Sequence, residues 1–244
     1  MKTFLFLGAA LAAGIAVHAG ELHFTSGPAR TSLLELYTSE GCSSCPPAER
    51  WLDGLTGDAG LWRDFVPVEF HVNYWDRLGW PDRFATREFT QRQYDHAAAW
   101  DNGASVYTPC FVHDGAEWRA GPLPPARGKG GLLTVVVFAD GTAHAEFVPV
   151  IPDAKEKYEL HVALLGSGFS SRVTAGENRG ETLRHEFVAL ALADHPFALA
   201  DGTSRAEFVL PVSKITDAPR RALAVWVTRR GDLIPLQATG GWLE

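Results

Sequence analysis

Glu35-Leu36-Tyr37-Thr38-Ser39-Glu40-Gly41-Cys42-Ser43-Ser44-Cys45-Pro46-Pro47-Ala48-Glu49 sets two cysteines, separated by two serines, between a strand-like run and a helix-like run. That context turns a common spacing into a redox hypothesis. A strand carries the pair to a sheet edge, and the following helix directs its N-terminus toward the first sulfur. Free N–H groups and the helix dipole there favour a thiolate. The thiolate is the form that attacks disulfides. Two other readings of the pair stay open. An inert disulfide is one, although so short a loop removes little chain entropy. Zinc is the other, although a zinc site needs four ligands and no second close pair is present.

Working outward, residues 31–37 and 65–72 read as strands, and 46–55 as a helix with prolines in its first turn, where they are tolerated. Residues 86–100 read as a helix anchored by Phe89 and Tyr94. Runs 110–113 and 117–120 flank Asp114-Gly115, a strong hairpin signal. The order βαβαββ is that of a sheet with helices on its faces. The stretch 121–131, rich in glycine and proline, reads as a linker. Beyond it the chain is almost entirely strand-like, with runs at 132–138, 143–148, 158–165, 181–192, 206–212 and 222–228. Short strands separated by turns indicate a β-sandwich of roughly seven strands.

Residues 1–19 carry an early Lys2, a short apolar run and small residues at Val17 and Ala19. They read as a signal peptide cut after Ala19. The alternative, a membrane anchor, needs about 20 apolar residues, more than this run supplies. The mature chain is therefore expected in a periplasmic or secreted location, where disulfides persist, with no stable membrane insertion after cleavage. The net charge of −7 argues against nucleic acid as a partner. Three cysteines leave Cys110 unpaired if Cys42 and Cys45 pair.

The segment quoted first resembles the signature of a family of exported thioredoxin-like proteins known mainly as a conserved domain of unknown function. Also similar to that family are His71-Val72-Asn73-Tyr74-Trp75-Asp76-Arg77-Leu78-Gly79-Trp80, Tyr107-Thr108-Pro109 and Gly176-Glu177-Asn178-Arg179-Gly180-Glu181-Thr182-Leu183. The resemblance implies an α/β thioredoxin-like domain, a central sheet with flanking helices, over 20–120. An all-β, sandwich-like domain follows over 132–244. Thioredoxin-like domains usually close with a helix after the hairpin. Here the linker intervenes, so that helix is expected to be missing and one sheet face to rest on the β domain. The resemblance settles no activity.

Roles follow from the spacing and the resemblance. Cys42 is the expected attacking thiol and Cys45 the resolving one. Thr108 and Pro109 match the place where thioredoxin-like folds carry a cis-proline facing the cysteine pair; the other reading is a trans proline opening an edge strand. Glu35 matches the buried acid that relays protons in thioredoxins, and burial would raise its pKa. The alternative is a solvent-facing glutamate on an alternating strand. Cys110 has three readings: a buried apolar-like thiol, an exchange partner of Cys45, or a third ligand in a metal site with Cys42 and Cys45.

The aromatic cluster at 71–80 reads as a packed loop, or else as a substrate-facing lip. His185 reads as structural. Residues 177–180 read as a turn between strands, with a ligand-binding loop as the alternative. The leading expectation is a thiol–disulfide oxidoreductase without an organic cofactor, acting on exported proteins or small thiols. The alternatives are an envelope binding or scaffold protein whose disulfide is structural, and a metal-binding protein.

Overall fold

The computed structural model describes residues 20–100, 105–119, 121–125 and 128–244. The expected signal peptide, 1–19, lies outside the described residues, as do Ala120, Ala126 and Arg127 around the expected linker. In chain order the elements are β1 (Leu22–Thr25), β2 (Ser32–Thr38), α1 (Pro46–Asp53), β3 (Phe65–His71), α2 (Arg87–Ala99), β4 (Cys110–His113), β5 (Ala116–Trp118), β6 (Leu132–Val137) and β7 (Thr142–Val148). They continue with β8 (Lys157–Ser167), β9 (Phe169–Arg172), β10 (Thr182–His185), β11 (Val188–Ala200), β12 (Thr203–Val209), β13 (Arg220–Arg229) and β14 (Pro235–Trp242).

β2 and β3 pair in parallel, and every residue of both is buried. Parallel strands covered on both faces tolerate few polar residues, so Glu35 and Glu69 on them need partners. β4 joins β2 antiparallel, and β5 closes the hairpin. Its turn residues Asp114 and Gly115 both have positive φ, 51° and 83°, as the Asp-Gly signal requires. The Asp114 carboxylate also accepts from Leu33 N and Ser32 Oγ, at 2.9 and 3.0 Å, fixing the hairpin to β2. Thr86 caps α2, its hydroxyl accepting from Phe89 N at 3.0 Å.

In the second half, β6, β7 and β12 pack as one antiparallel layer against β8, β13 and β14. Leu133, Val135 and Phe147 meet Leu160, Val162, Val225 and Val227 in the core between them. β1 pairs with β6. The first described strand thus belongs to this layer by its backbone bonds, although the sequence boundary places it with the α/β part. β11 is long enough to serve both halves: it pairs with β12 at one end, with β8 along its length, and in parallel with β3 at Val188 and Glu69. The two halves consequently share a sheet.

No helix stands between β5 and β6 among the described residues. Strands from the second half cover the α/β core instead. Trp226 and Ala224 of β13 and Ala238 of β14 are buried in one cluster with Leu33, Leu36, Val68 and Phe70. Burying each of these leucine, valine and phenylalanine side chains contributes about 1.5–3 kcal/mol. Gln237 on β14 fastens the seam. Its side chain accepts from Thr31 N at 2.7 Å and donates to the carbonyls of Gly131, Ala29 and Gly27 at 2.7–3.2 Å. No helix among the described residues is long and apolar enough to cross a membrane.

Candidate functional site

β2 ends at Thr38, and a tight turn follows, with Cys42 N bonded to Ser39 O at 3.0 Å and Cys45 N to Cys42 O at 3.2 Å. The Cys42 and Cys45 sulfurs are joined as a disulfide, with a Cα–Cα separation of 5.5 Å. Cys45, rather than Cys42, is the cap residue of α1. Pro46 and Pro47 have no N–H, and the N–H groups of Ala48 and Glu49 both bond to Cys45 O. These four first-turn positions offer Cys42 no free donor. The expected N–H stabilisation of a Cys42 thiolate is thereby reduced to the helix dipole and the Ser44 hydroxyl, whose oxygen lies 3.2 Å from Cys42 Sγ.

The Thr108–Pro109 peptide is cis and lies against the pair. Thr108 O is 3.8 Å from Cys42 Sγ and accepts from Ser44 Oγ at 3.4 Å. Trp75 Nε1 donates to Thr108 Oγ1 at 2.8 Å, and the Trp75 backbone and Cβ press against Gly41. The aromatic loop at 71–80 therefore packs on the cysteine turn and steadies the cis-proline segment. Beside the disulfide opens an apolar cleft of about 770 Å³, lined by Ser44, Pro47, Trp51, Pro109, Phe111 and Trp118 among others. Trp51, Phe111 and Trp118 form its wall, with ring centroids 5.1–5.5 Å apart.

Both sulfurs are fully buried, whereas Ser43 and Ser44 are exposed. Part of the cover comes from the turn at 176–180, which sequence reading placed between strands of the β half. Glu177 accepts from Ser43 N and Oγ at 3.1 and 2.7 Å. The buried Asn178 Nδ2 donates to Glu40 O and Cys42 O, both at 2.9 Å. Gly176 supplies the left-handed φ of +72° at the start of this turn, beside Trp80. The only sequence signal for this contact is the polar Glu-Asn pair within a glycine-flanked turn.

Glu35 is buried, as the resemblance implies, but the pKa expectation is corrected. Burial alone would raise its pKa. The Arg92 guanidinium at 2.8 Å and His96 at 3.3 Å outweigh it and hold the carboxyl well below the usual range. With Tyr37 donating as well at 2.7 Å, Glu35 is an ion-pair partner charged at neutral pH, where it has no proton to give. Glu49, one helical turn after Cys45 and buried, has the opposite setting. Burial and the nearby Glu69 charge raise it to about 7, while Thr38 Oγ1 donates to it at 2.6 Å.

Cys110 is buried, with its thiol pushed up to about 11 by burial. Among the described residues the three cysteines do not form a ligand group. Glu69, His71 and His185 do: their donor atoms all lie within 4.8 Å of one another. His71 and His185 are each flanked by a second carboxylate, Asp82 and Glu40 respectively.

Two solved structures share the fold. Protein AGR_C_4864 from Agrobacterium tumefaciens superposes with a TM-score of 0.58 at 22% identity, over 88% of this chain and 94% of that one. HBP35 of Porphyromonas gingivalis does so with a TM-score of 0.59 at 11% identity, over 88% and 76%. No curated protein matches the chain. Residues 33–129, which carry the cysteine pair, the cis-proline and the cleft, match a family described as protein of unknown function (DUF1223).

Proposed function

We propose that this chain is a thiol–disulfide exchange protein acting on exported proteins or small thiols in a periplasmic or extracellular space. The observation that carries the reading is the Cys42–Cys45 disulfide lying against the cis Thr108–Pro109 peptide, with its neighbours Ser44 and Pro109 lining an adjoining aromatic cleft. In the reduced protein, the Cys42 thiolate attacks a partner disulfide and releases one partner thiolate. Cys45, as thiolate, then attacks Cys42 Sγ, releases the second partner thiolate and forms the intramolecular disulfide. Running backward, the same steps oxidise a partner dithiol. The cleft receives apolar side chains of the partner beside the exchanging sulfur. Proton handling falls to Glu49, whose pKa of about 7 suits both acid and base roles, and Glu35 takes a structural part.

Trapping tests this directly. Cys45→Ser, mixed with a disulfide-containing exported protein, accumulates a covalent complex through Cys42; Cys42→Ser does not. Equal behaviour of the two variants contradicts the reading.

A second reading, a scaffold with a structural disulfide, draws on the burial of both sulfurs and on the missing donors at the start of α1. It predicts a disulfide that resists mild reductants.

A further inference from the structure

Glu69 and His71 alternate on β3, so both side chains leave the same face of the strand. β10 brings His185 to that face, from 116 residues further along the chain. Glu69 Oε1 lies 2.7 Å from His71 Nε2 and 3.1 Å from His185 Nδ1. We propose that His71, His185 and both carboxylate oxygens of Glu69 supply the four donor atoms of an enclosed, structural site for a zinc-class divalent cation.

Four observations support the assignment. The donor atoms gather within 4.8 Å of one another, and tetrahedral zinc with bonds of roughly 2.0–2.2 Å separates its ligand atoms by about 3.3–3.6 Å. A metal displaces the protons that now fill the two hydrogen bonds to Glu69 Oε1, opening the His71 contact by about 0.6–0.9 Å and the His185 contact by about 0.2–0.5 Å. Each histidine is oriented from behind by a carboxylate on its other nitrogen, His71 Nδ1 by Asp82 Oδ2 at 2.7 Å and His185 Nε2 by Glu40 Oε1 at 3.2 Å. That carboxylate–histidine pairing is the usual outer shell of a metal-binding imidazole. The outer carboxylates are themselves fixed: Asp82 accepts from the N–H groups of Glu40 and Phe84, and Glu40 from Trp80 Nε1. Finally, Glu69 Oε2 is buried with no hydrogen-bond partner. A buried carboxylate oxygen without a partner calls for an explanation, and a metal taking it as a further donor supplies one.

Two imidazoles and a carboxylate suit zinc better than magnesium or calcium, which favour oxygen alone. All three ligands have no solvent exposure, and Phe84 walls both imidazoles with ring centroids 5.1 and 5.6 Å away. A site so enclosed fits a structural rather than a hydrolytic ion. The ion clamps β10 to β3. The β9–β10 pair carries the turn at 176–180 that covers the cysteine loop, so the metal holds that cover in place. None of its ligands is a cysteine, so the site and the exchange reaction can be tested separately, although a cation on Glu69 would offset the charge that helps raise Glu49.

The test is zinc itself. The purified full chain is stripped with a chelator, titrated with zinc against a chromophoric competitor, and its zinc X-ray absorption is recorded. The expected result is about one tightly held zinc per chain with nitrogen and oxygen neighbours and no sulfur. Binding should persist in the Cys42→Ser, Cys45→Ser double variant. Asp82→Asn should weaken it about 10- to 100-fold, and His185→Gln should abolish it. Less than about 0.1 equivalent bound by the wild-type chain, a sulfur-containing shell, or binding unaffected by His185→Gln would overturn the assignment.

Discussion

The carboxylate of Glu177 accepts hydrogen bonds from both the backbone N–H and the hydroxyl of Ser43, 134 residues earlier in the chain. A turn from the β-rich half is thus fastened over the cysteine loop of the α/β half. The exposed Glu177 acts as a latch and the buried Asn178 as its inner pin.

Releasing the latch should expose the disulfide. Glu177→Ala is expected to speed reduction by dithiothreitol roughly fivefold, the factor carried by a hydrogen bond or so, while leaving the fold intact by circular dichroism. Asn178→Ala should speed it further and lower stability by about 1–3 kcal/mol, since two buried carbonyls lose their donor. An unchanged reduction rate in both variants would show that the turn does not control access.

Much of this arrangement was legible in the chain and some was not. The alternating elements around Cys42 and the Asp114-Gly115 hairpin follow from local pattern and turn chemistry, and the structure has both; among the described residues no helix follows the hairpin before β6. β14 escaped notice because Gln237, Thr239, Gly240 and Gly241 look like loop. They are strand residues because buried partners, above all the four bonds of Gln237, supply what propensity lacks. The run at 181–192 divides into β10 and β11, with Phe187 between them at φ 57°, which no hydrophobic pattern signals. Glu35 shows the limit most sharply. Its burial could be argued from the strand, but the sign of its pKa shift depends on Arg92 and His96, which arrive from α2.

Glu35 and Arg92 should dominate acid stability in the α/β core. The Glu35 pKa is depressed in the folded state, so its contribution is complete above the unfolded value of about 4.3 and is lost as pH falls below it. Glu35→Gln leaves Arg92 buried without its counterion and is expected to cost about 3–5 kcal/mol at neutral pH. Urea melts at neutral and acid pH check both parts: the stability gap between variant and wild type should narrow on acidification. A constant gap would contradict the ion-pair account.

Glu49 should give exchange a pH dependence near neutrality. Burial and the Glu69 charge raise it to about 7, opposed by His185, His71 and the Thr38 hydroxyl. If it moves the proton of Cys45, Glu49→Gln flattens the rate profile between about pH 6 and 8 and lowers the rate about 10-fold or more, within the range of general acid–base effects. An identical profile would remove Glu49 from the mechanism.

Cys110 should be inert. Its thiol is buried and raised to about 11, so iodoacetamide at pH 8 should label no cysteine in the oxidised native protein and one per chain after denaturation. Rapid native labelling would place Cys110 within reach of the exchange chemistry.

The equilibrium redox potential of the Cys42–Cys45 pair in glutathione buffers tests the central claim most directly. An exchange protein should poise the pair between roughly −120 and −270 mV, the span of known thiol–disulfide oxidoreductases. A potential below about −300 mV, typical of structural disulfides, would contradict the account and leave the scaffold reading in its place.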